Sequence, residues 1–279
     1  MRTSTQLKAL IRNFSKETNV EAEILLRNFM MERFLERISV SKYKHHFILK
    51  GGMLIASMVG IDTRTTMDMD ATIKGKTVSK TEITSIMEDI LKVQMDDGAA
   101  FSFQGIEEIR EEADYPGYRV SIGANFDKSR QMLKIDITTG DSVTPREMEY
   151  AYKLMFEDRA ISIMAYNLET VLAEKLEAII TRGVTNTRMR DYYDVYILTN
   201  TYTFDTNTFK STLSKTAEKR HTTLQMSVAN EDTIAIIMEN AKLVDLWEKY
   251  QKKYFYAADI SWPMVINAVK SLVENALII

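Results

Sequence analysis

Cysteine is missing from the 279 residues, and histidine occurs three times, two of them adjacent as His45-His46. The first absence excludes disulfides, thiolate zinc sites and cysteine nucleophiles, and suits a reducing cytoplasm. The scarcity of histidine disfavours an imidazole metal site, so a bound metal is expected on oxygen ligands. Only three prolines and ten glycines leave little room for long linkers or disordered tracts, and nearly the whole chain is expected to fold. No apolar run approaches the roughly 20 residues a membrane helix needs, and the start of the chain lacks the pattern of a secretion signal. A soluble, cytoplasmic protein without a membrane partner is expected. Excess positive charge is lacking too: the formal net charge of −3 gives no global pull toward nucleic acid, so any such contact must use local basic patches.

The residues present read as α+β. Thr18 and Glu21 have capping-box spacing, and Ile24, Leu25, Leu26, Phe29, Met30, Phe34 and Leu35 follow helical periodicity, which predicts a helix over 19–38. A short apolar burst, Phe47-Ile48-Leu49, ends at Lys50-Gly51-Gly52, where the glycines are expected to turn the chain into a short buried helix. Strand-like stretches follow at Met69–Ile73, Phe101–Ile106, Tyr118–Phe126 and Leu133–Thr138, with a helix near 80–95 capped by Ser79 and Glu82. Beyond Ile161–Met164 the pattern is helical. Asn167 can cap Leu168–Arg182, Gly183 is a natural stop, Arg190–Leu198 begins another helix, and segments near 205–218, 227–241, 243–254 and 262–277 keep helical spacing. This divides the chain into a mixed part, 1–160, and a mainly helical part, 161–279.

The chemistry concentrates early. Asp68 and Asp70 are two apart, and on a strand this spacing projects both carboxylates from one face. Such a pair is a platform for magnesium, one ion or two, beside substrate phosphate. Asp136 lies in the middle of an otherwise apolar strand, where an unpaired carboxylate is costly. It wants either that metal or a cation such as Arg64 or Lys50. The Gly51-Gly52 turn offers backbone N–H groups at a helix start, to which phosphate oxygens can come close. Taken singly, a Gly-Gly pair is often only a turn; upstream of Asp-x-Asp it reads as a phosphate cradle.

Leu49-Lys50-Gly51-Gly52-Met53-Leu54 with Arg64-Thr65-Thr66-Met67-Asp68-Met69-Asp70 resembles the first motif of the AbiEii/AbiGii toxin family of nucleotidyltransferases. Lys134–Ile137 is similar to the second, Leu168–Leu176 to the third and Arg188–Asp194 to the fourth. The resemblance spans roughly residues 45–200; residues 205–279 match only in being helical. It implies a polymerase-β-like core, a small mixed sheet with helices, followed by a helical C-terminal domain that brings Lys175 and Asp191 to the cleft. It implies Asp68 and Asp70 as metal ligands, Lys175 on the triphosphate, Asp191 as the essential acid, and Thr66 where the family carries serine or threonine. Lys50 joins the glycines as a candidate phosphate contact, and Arg188 and Arg190 could reach phosphate of a nucleotide or of an RNA end. The implied activity is a magnesium-dependent toxin of a phage-defence toxin–antitoxin system. It transfers a nucleoside monophosphate from a nucleoside triphosphate to RNA, at the acceptor end of transfer RNA, and is countered by an AbiEi-type repressor.

Plainer readings exist for several of these residues. Without the motif, Lys175 is ordinary helix surface, and Asp191 and Asp194 are first-turn acids that complement a helix dipole. Tyr192, Tyr193 and Tyr196 suit packing better than base stacking. The clusters Lys210, Lys215, Lys219, Arg220 and Lys249, Lys252, Lys253 are solvated faces, or backbone contacts to RNA. The acceptor could instead be a protein or a small molecule, or the fold could bind nucleotide without catalysis.

Overall fold

Helical and strand periodicities sort along the chain as the sequence indicates. The computed structural model describes residues 3–74, 79–109, 117–141, 143–228 and 231–277. Among these residues the chain forms one seven-stranded sheet and eleven helices. Its two compact units are Met1–Asp141 with Glu147–Ala165, and Ser142–Arg146 with Tyr166–Ile279.

The first unit contains helices α1 (Ser4–Thr18), α2 (Ala22–Val40), α3 (Gly51–Val59) and α4 (Lys80–Leu91). Its strands are β1 (Phe47–Lys50), β2 (Met69–Ile73), β3 (Ala99–Ile109), β4 (Gly117–Phe126), β5 (Ser129–Thr139), β6 (Met148–Lys153) and β7 (Ala160–Ala165). The order across the sheet is β3-β4-β5-β2-β1-β7-β6, with β2/β5 and β1/β7 parallel and the other pairs antiparallel. The interior strand β1 is buried along its whole length, which explains why Phe47-Ile48-Leu49 is a continuous apolar run rather than an alternation.

The expected capping box at Thr18 is not formed. Thr18 is the last residue of α1, its hydroxyl donates to the Phe14 carbonyl at 2.6 Å, and Asn19 takes the left-handed conformation that separates α1 from α2. Glu21 begins α2 without a side-chain cap. Ser79 and Glu82, by contrast, form both halves of the box at the start of α4. Helix α2 also buries Glu32, Arg33, Glu36 and Arg37 with its apolar residues, so it is core on nearly every side. Both arginines are matched: Arg33 meets Glu157 at 2.7 Å, and Arg37 forks onto Asp97 at 2.7 and 2.9 Å while donating to the Ala99 carbonyl. Glu32 accepts from the Met155 N–H, and burial pushes its carboxyl up to about 8.

The second unit is helical: α5 (Leu168–Arg182), α6 (Met189–Thr201), α7 (Thr206–Lys219), α8 (Thr223–Ser227), α9 (Glu231–Met238), α10 (Ala241–Lys253) and α11 (Trp262–Leu277). Asn167 caps α5 by accepting the Thr170 N–H at 2.8 Å, and its amide donates to the carbonyls of Thr144 and Arg146, which ties the 143–146 segment to this unit. Gly183 ends α5 at φ +49°. Tyr192 and Tyr193 are fully buried, Tyr192 against Trp262 and Tyr193 against Tyr256 and Tyr250, as packing residues. Of the helix expected over 227–241, α9 forms Glu231–Met238, and residues 229–230 lie outside the described residues. No helix among the described residues is long and apolar enough to cross a membrane.

Candidate active site

In the first unit the antiparallel pairing of β1 and β2 sets Lys50 opposite Asp70, so the turn that follows Lys50 starts beside that carboxylate. Gly51 sits at φ +63°, and a Cβ there would lie 2.7 Å from the Asp70 Cγ. Both facts demand glycine. The Gly52 N–H points to Asp70 Oδ2 at 3.4 Å, and a Cβ on Gly52 would meet Thr66 Oγ1 at 2.7 Å and the Arg64 guanidinium at 2.9 Å. The glycine pair is therefore a seat against which β2 and the 64–66 loop pack, as well as the start of α3.

That loop is held from several sides. Thr66 donates its hydroxyl to the Asp68 carbonyl at 3.1 Å, its own carbonyl accepts from Asn28 Nδ2 at 3.0 Å, and Arg64 donates to the Thr65 carbonyl. Thr66 and Arg64 are buried, whereas Asp68 and Asp70 are half-buried. Thr66 thus positions the backbone that carries Asp68.

Across the sheet, Lys50, Asp70, Asp136 and Arg119 fall in register on β1, β2, β5 and β4. Register partners present side chains on the same face, so this is a ladder of cation, two acids and cation. Lys50 reaches past β2 to donate to Thr138 Oγ1 at 2.7 Å and pairs with Asp141. Asp136 is a salt-bridged carboxylate, as one of the two sequence expectations has it, but its partner is neither Arg64 nor Lys50. Arg119 takes both oxygens, Nε to Oδ1 and Nη2 to Oδ2, each at 2.8 Å. Hydrogen bonding to Asp136, with smaller attractions from Asp136, Asp68 and Glu107, holds Arg119 firmly protonated. Among the described residues no group of three or more His, Asp or Glu side chains is gathered to hold a metal. The donor chemistry available at Asp68 and Asp70, two carboxylates of which Asp70 lies against the glycine turn, fits a hard divalent cation that keeps part of its water.

In the second unit α5 packs on α6, and Lys175 extends between two acids of α6. Its Nζ lies 2.7 Å from Asp191 Oδ1 and 2.9 Å from Asp194 Oδ2. The acids are three apart, one helical turn, so both face α5. Glu174 and Glu177 of α5 take Arg220 from the end of α7, so Arg220 is paired rather than a solvated cation. Arg190 donates to the Tyr254 hydroxyl at 2.8 Å and lies 5.3 Å from that ring's centre. Arg188 is exposed at the start of α6, its backbone N–H bonded to Asn186 Oδ1. Arg182 lies near enough to Arg188 that, after burial, the like charge is the next cause lowering its basicity.

Of the residues singled out from sequence, the structure brings Asp70 to the Gly51-Gly52 turn and Lys175 to Asp191; Arg119, Asp141 and Arg182, which pair with or lie near the residues singled out, are not among them. For Arg119 a signal existed. The tight turn at Asp127-Lys128 sets Phe126 opposite Ser129, and counting back seven pairs reaches 126 − 7 = 119 opposite 129 + 7 = 136. Nothing local marks Asp141, which lies beyond the end of β5.

The fold and these acids define a class, nucleotidyltransferases. The crystal structure of a Helicobacter pylori protein assigned as a nucleotidyltransferase is similar over 91% of this chain and 95% of that one, at 14% identity and a TM-score of 0.50. JHP933 from Helicobacter pylori is similar over 91% of this chain and 92% of its own, at 16% identity and a TM-score of 0.50. No curated protein matches the sequence. The model of the family described as nucleotidyl transferase AbiEii toxin, type IV toxin–antitoxin system, matches residues 33–274, and the chain belongs to that family. It is a nucleotidyltransferase.

Proposed function

We propose that the protein is a divalent-metal-dependent toxin that moves a nucleoside monophosphate from a nucleoside triphosphate onto RNA, at the acceptor end of transfer RNA, releasing pyrophosphate. The single observation that carries this reading is the placement of Asp70 against the Gly51-Gly52 turn, with Asp68 two residues earlier on the same chain segment. The RNA acceptor, the block to translation and growth, the phage-defence role and the AbiEi-type partner come from the family resemblance, and net charge adds nothing to them. The cytoplasm is the expected compartment.

In this reading Asp68 and Asp70 hold magnesium, which when bound neutralises phosphate charge and makes the attacking hydroxyl more acidic. The chain's own contribution is placement. Thr66 and Asn28 fix the backbone before Asp68, and the glycine pair seats Asp70 at the start of α3. Lys175 is the phosphate-binding cation, oriented by Asp191 and Asp194. Arg188, exposed, is the phosphate contact of the fourth motif. Arg190, committed to Tyr254, and Lys50, committed to Thr138 and Asp141, act as positioning residues rather than ligands.

The test is incubation of purified protein with magnesium, labelled nucleoside triphosphates and total transfer RNA. Wild type is expected to label RNA, and Asp68→Ala to lose about 100-fold or more of that rate. Label in protein or small-molecule fractions with none in RNA overturns the RNA assignment. Growth arrest that survives Asp68→Ala overturns catalysis as the cause of toxicity.

A further inference from the structure

Residues 249–256 read Lys-Tyr-Gln-Lys-Lys-Tyr-Phe-Tyr, three cations and four aromatic rings with no acid among them, in a chain whose net charge is −3. The structure divides them into a buried set and an exposed one. Tyr250 is buried, its ring centre 5.3 Å from that of Trp247 and 6.0 Å from that of Tyr193. Tyr254 and Tyr256 are half-buried and stack on each other at 5.4 Å. Lys252, Lys253 and Phe255 are exposed, and Phe255 is the only exposed phenylalanine among the described residues. Lys249 is held by Asp245 at 2.7 Å, whereas Lys252 and Lys253 enter no ion pair among the described residues.

The turn that carries Phe255 is pinned on both sides. Trp247 Nε1 donates to the Ile260 carbonyl at 2.9 Å, and Gln251 Nε2 donates to the carbonyls of Ala258 and Ile260 at 3.1 and 3.0 Å. Arg190 reaches the Tyr254 hydroxyl from α6, one residue before the Asp191 that holds Lys175. The aromatic turn is therefore fastened to the helix that carries the acid of the fourth motif. Lysines in a last helical turn complement the helix dipole, which accounts for Lys252 and Lys253 but leaves the exposed ring of Phe255 unexplained. Cations that follow a phosphate backbone, beside a fixed ring on which a base can stack, are the means by which proteins hold single-stranded nucleic acid. A duplex has its base faces already stacked and offers such a ring nothing.

We infer that Phe255, Lys252 and Lys253 hold a single-stranded stretch of the RNA acceptor, with one base stacked on Phe255 and backbone phosphates on the two lysines. The inference rests on the RNA reading proposed above and adds to it a surface and a strandedness. Arg190 is then a positioning residue, which keeps the aromatic turn in place relative to Asp191.

Fluorescence anisotropy tests this on the full chain without nucleotide or magnesium, using a labelled single-stranded RNA of about 12 nucleotides and a blunt RNA duplex of the same length. Wild type is expected to bind the single strand about tenfold more tightly than the duplex. Phe255→Ala should weaken single-strand binding about tenfold without changing its salt dependence, while Phe255→Tyr, which keeps a ring, should stay within about twofold of wild type. Lys252→Gln with Lys253→Gln should make the slope of log affinity against log salt shallower by about 1.4, at about 0.7 for each phosphate contact. All three side chains are exposed, so the variants should fold, as tryptophan fluorescence in urea checks. Unchanged affinity in Phe255→Ala, a duplex bound as tightly as the single strand, or an unchanged slope in the lysine pair overturns the inference. Wild type and Phe255→Ala that label transfer RNA equally overturn the surface and leave the RNA reading standing. Wild type that neither binds nor labels RNA overturns both.

Discussion

Asp136 and Lys175 are both charged groups in the middle of regular elements, and each finds its counter-charge on a neighbouring element, yet the two arrangements differ in what surrounds them. Asp136 meets one arginine, and the side chains retain 19% and 31% of their exposure. Lys175 meets two acids, of which Asp194 retains none. Water can rescue a broken partner in the first case and cannot in the second. A salt bridge that solvent reaches contributes little net stability, whereas a buried carboxylate stripped of its cation bears its full desolvation cost. The same ionic vocabulary thus serves a tunable ladder on the sheet and a structural clamp in the helical unit.

The largest expected effect tests the clamp. Lys175→Met keeps the stem and removes the charge, leaving the buried Asp194 without the Lys175 ammonium, and should cost about 4 kcal/mol. Both tryptophans, Trp247 and Trp262, lie in the helical unit, so urea unfolding followed by tryptophan fluorescence reports on that unit. Adding Asp194→Asn to Lys175→Met should recover part of the loss. A drop below about 1 kcal/mol would dissolve the contrast, because it would mean that water reaches the α5–α6 charges as it does the sheet's.

The glycine seat gives the next effect. Gly51→Ala forces a side chain into φ +63° and onto the Asp70 carboxyl, so a loss of about 3 kcal/mol is expected. Gly105→Ala is the control, since a Cβ there meets nothing within 4 Å. Hydrogen exchange over 47–73 locates the change. Fast exchange confined to that stretch supports a seat built by β1, β2 and α3, and unchanged exchange in Gly51→Ala would remove the argument that Asp70 depends on it.

How legible each arrangement is in the sequence follows from its range. Lys175, Asp191 and Asp194 stand on helices whose caps and stops are local signals: Asn167 before α5, Gly183 after it. The α4 box at Ser79 and Glu82 is legible for the same reason. Thr18 and Glu21 show the limit of that reasoning, since the same spacing spans the end of one helix and the start of the next, and the decisive fact is Asn19 in the left-handed region. The polar half of α2 marks another limit. Nothing local shows that Arg33, Glu36 and Arg37 are buried, because their partners Glu157, Arg159 and Asp97 lie far along the chain, and Glu32 is met by the equally distant Met155 N–H. Asp136 is legible as a carboxylate needing a cation because its strand is otherwise apolar. Which cation it meets depends on hairpin register.

The smallest expected effect is the stability cost of Asp136→Asn, and its smallness carries weight. An amide can still accept from Arg119 while losing the charge, and in a pair that retains a fifth to a third of its exposure the net loss should be about 1 kcal/mol or less. A double-mutant cycle with Arg119→Gln, read by far-UV circular dichroism in urea, should give a coupling of similar size. Coupling that falls steeply with added salt would place the pair in solvent reach, as its exposure implies. Coupling of 3 kcal/mol or more that salt leaves unchanged would make Arg119–Asp136 a clamp of the Lys175 kind. A weak coupling instead leaves the pair free to act on charge at the acidic face, which is the only role in which a solvent-reached salt bridge between two well-ordered strands matters more to chemistry than to folding.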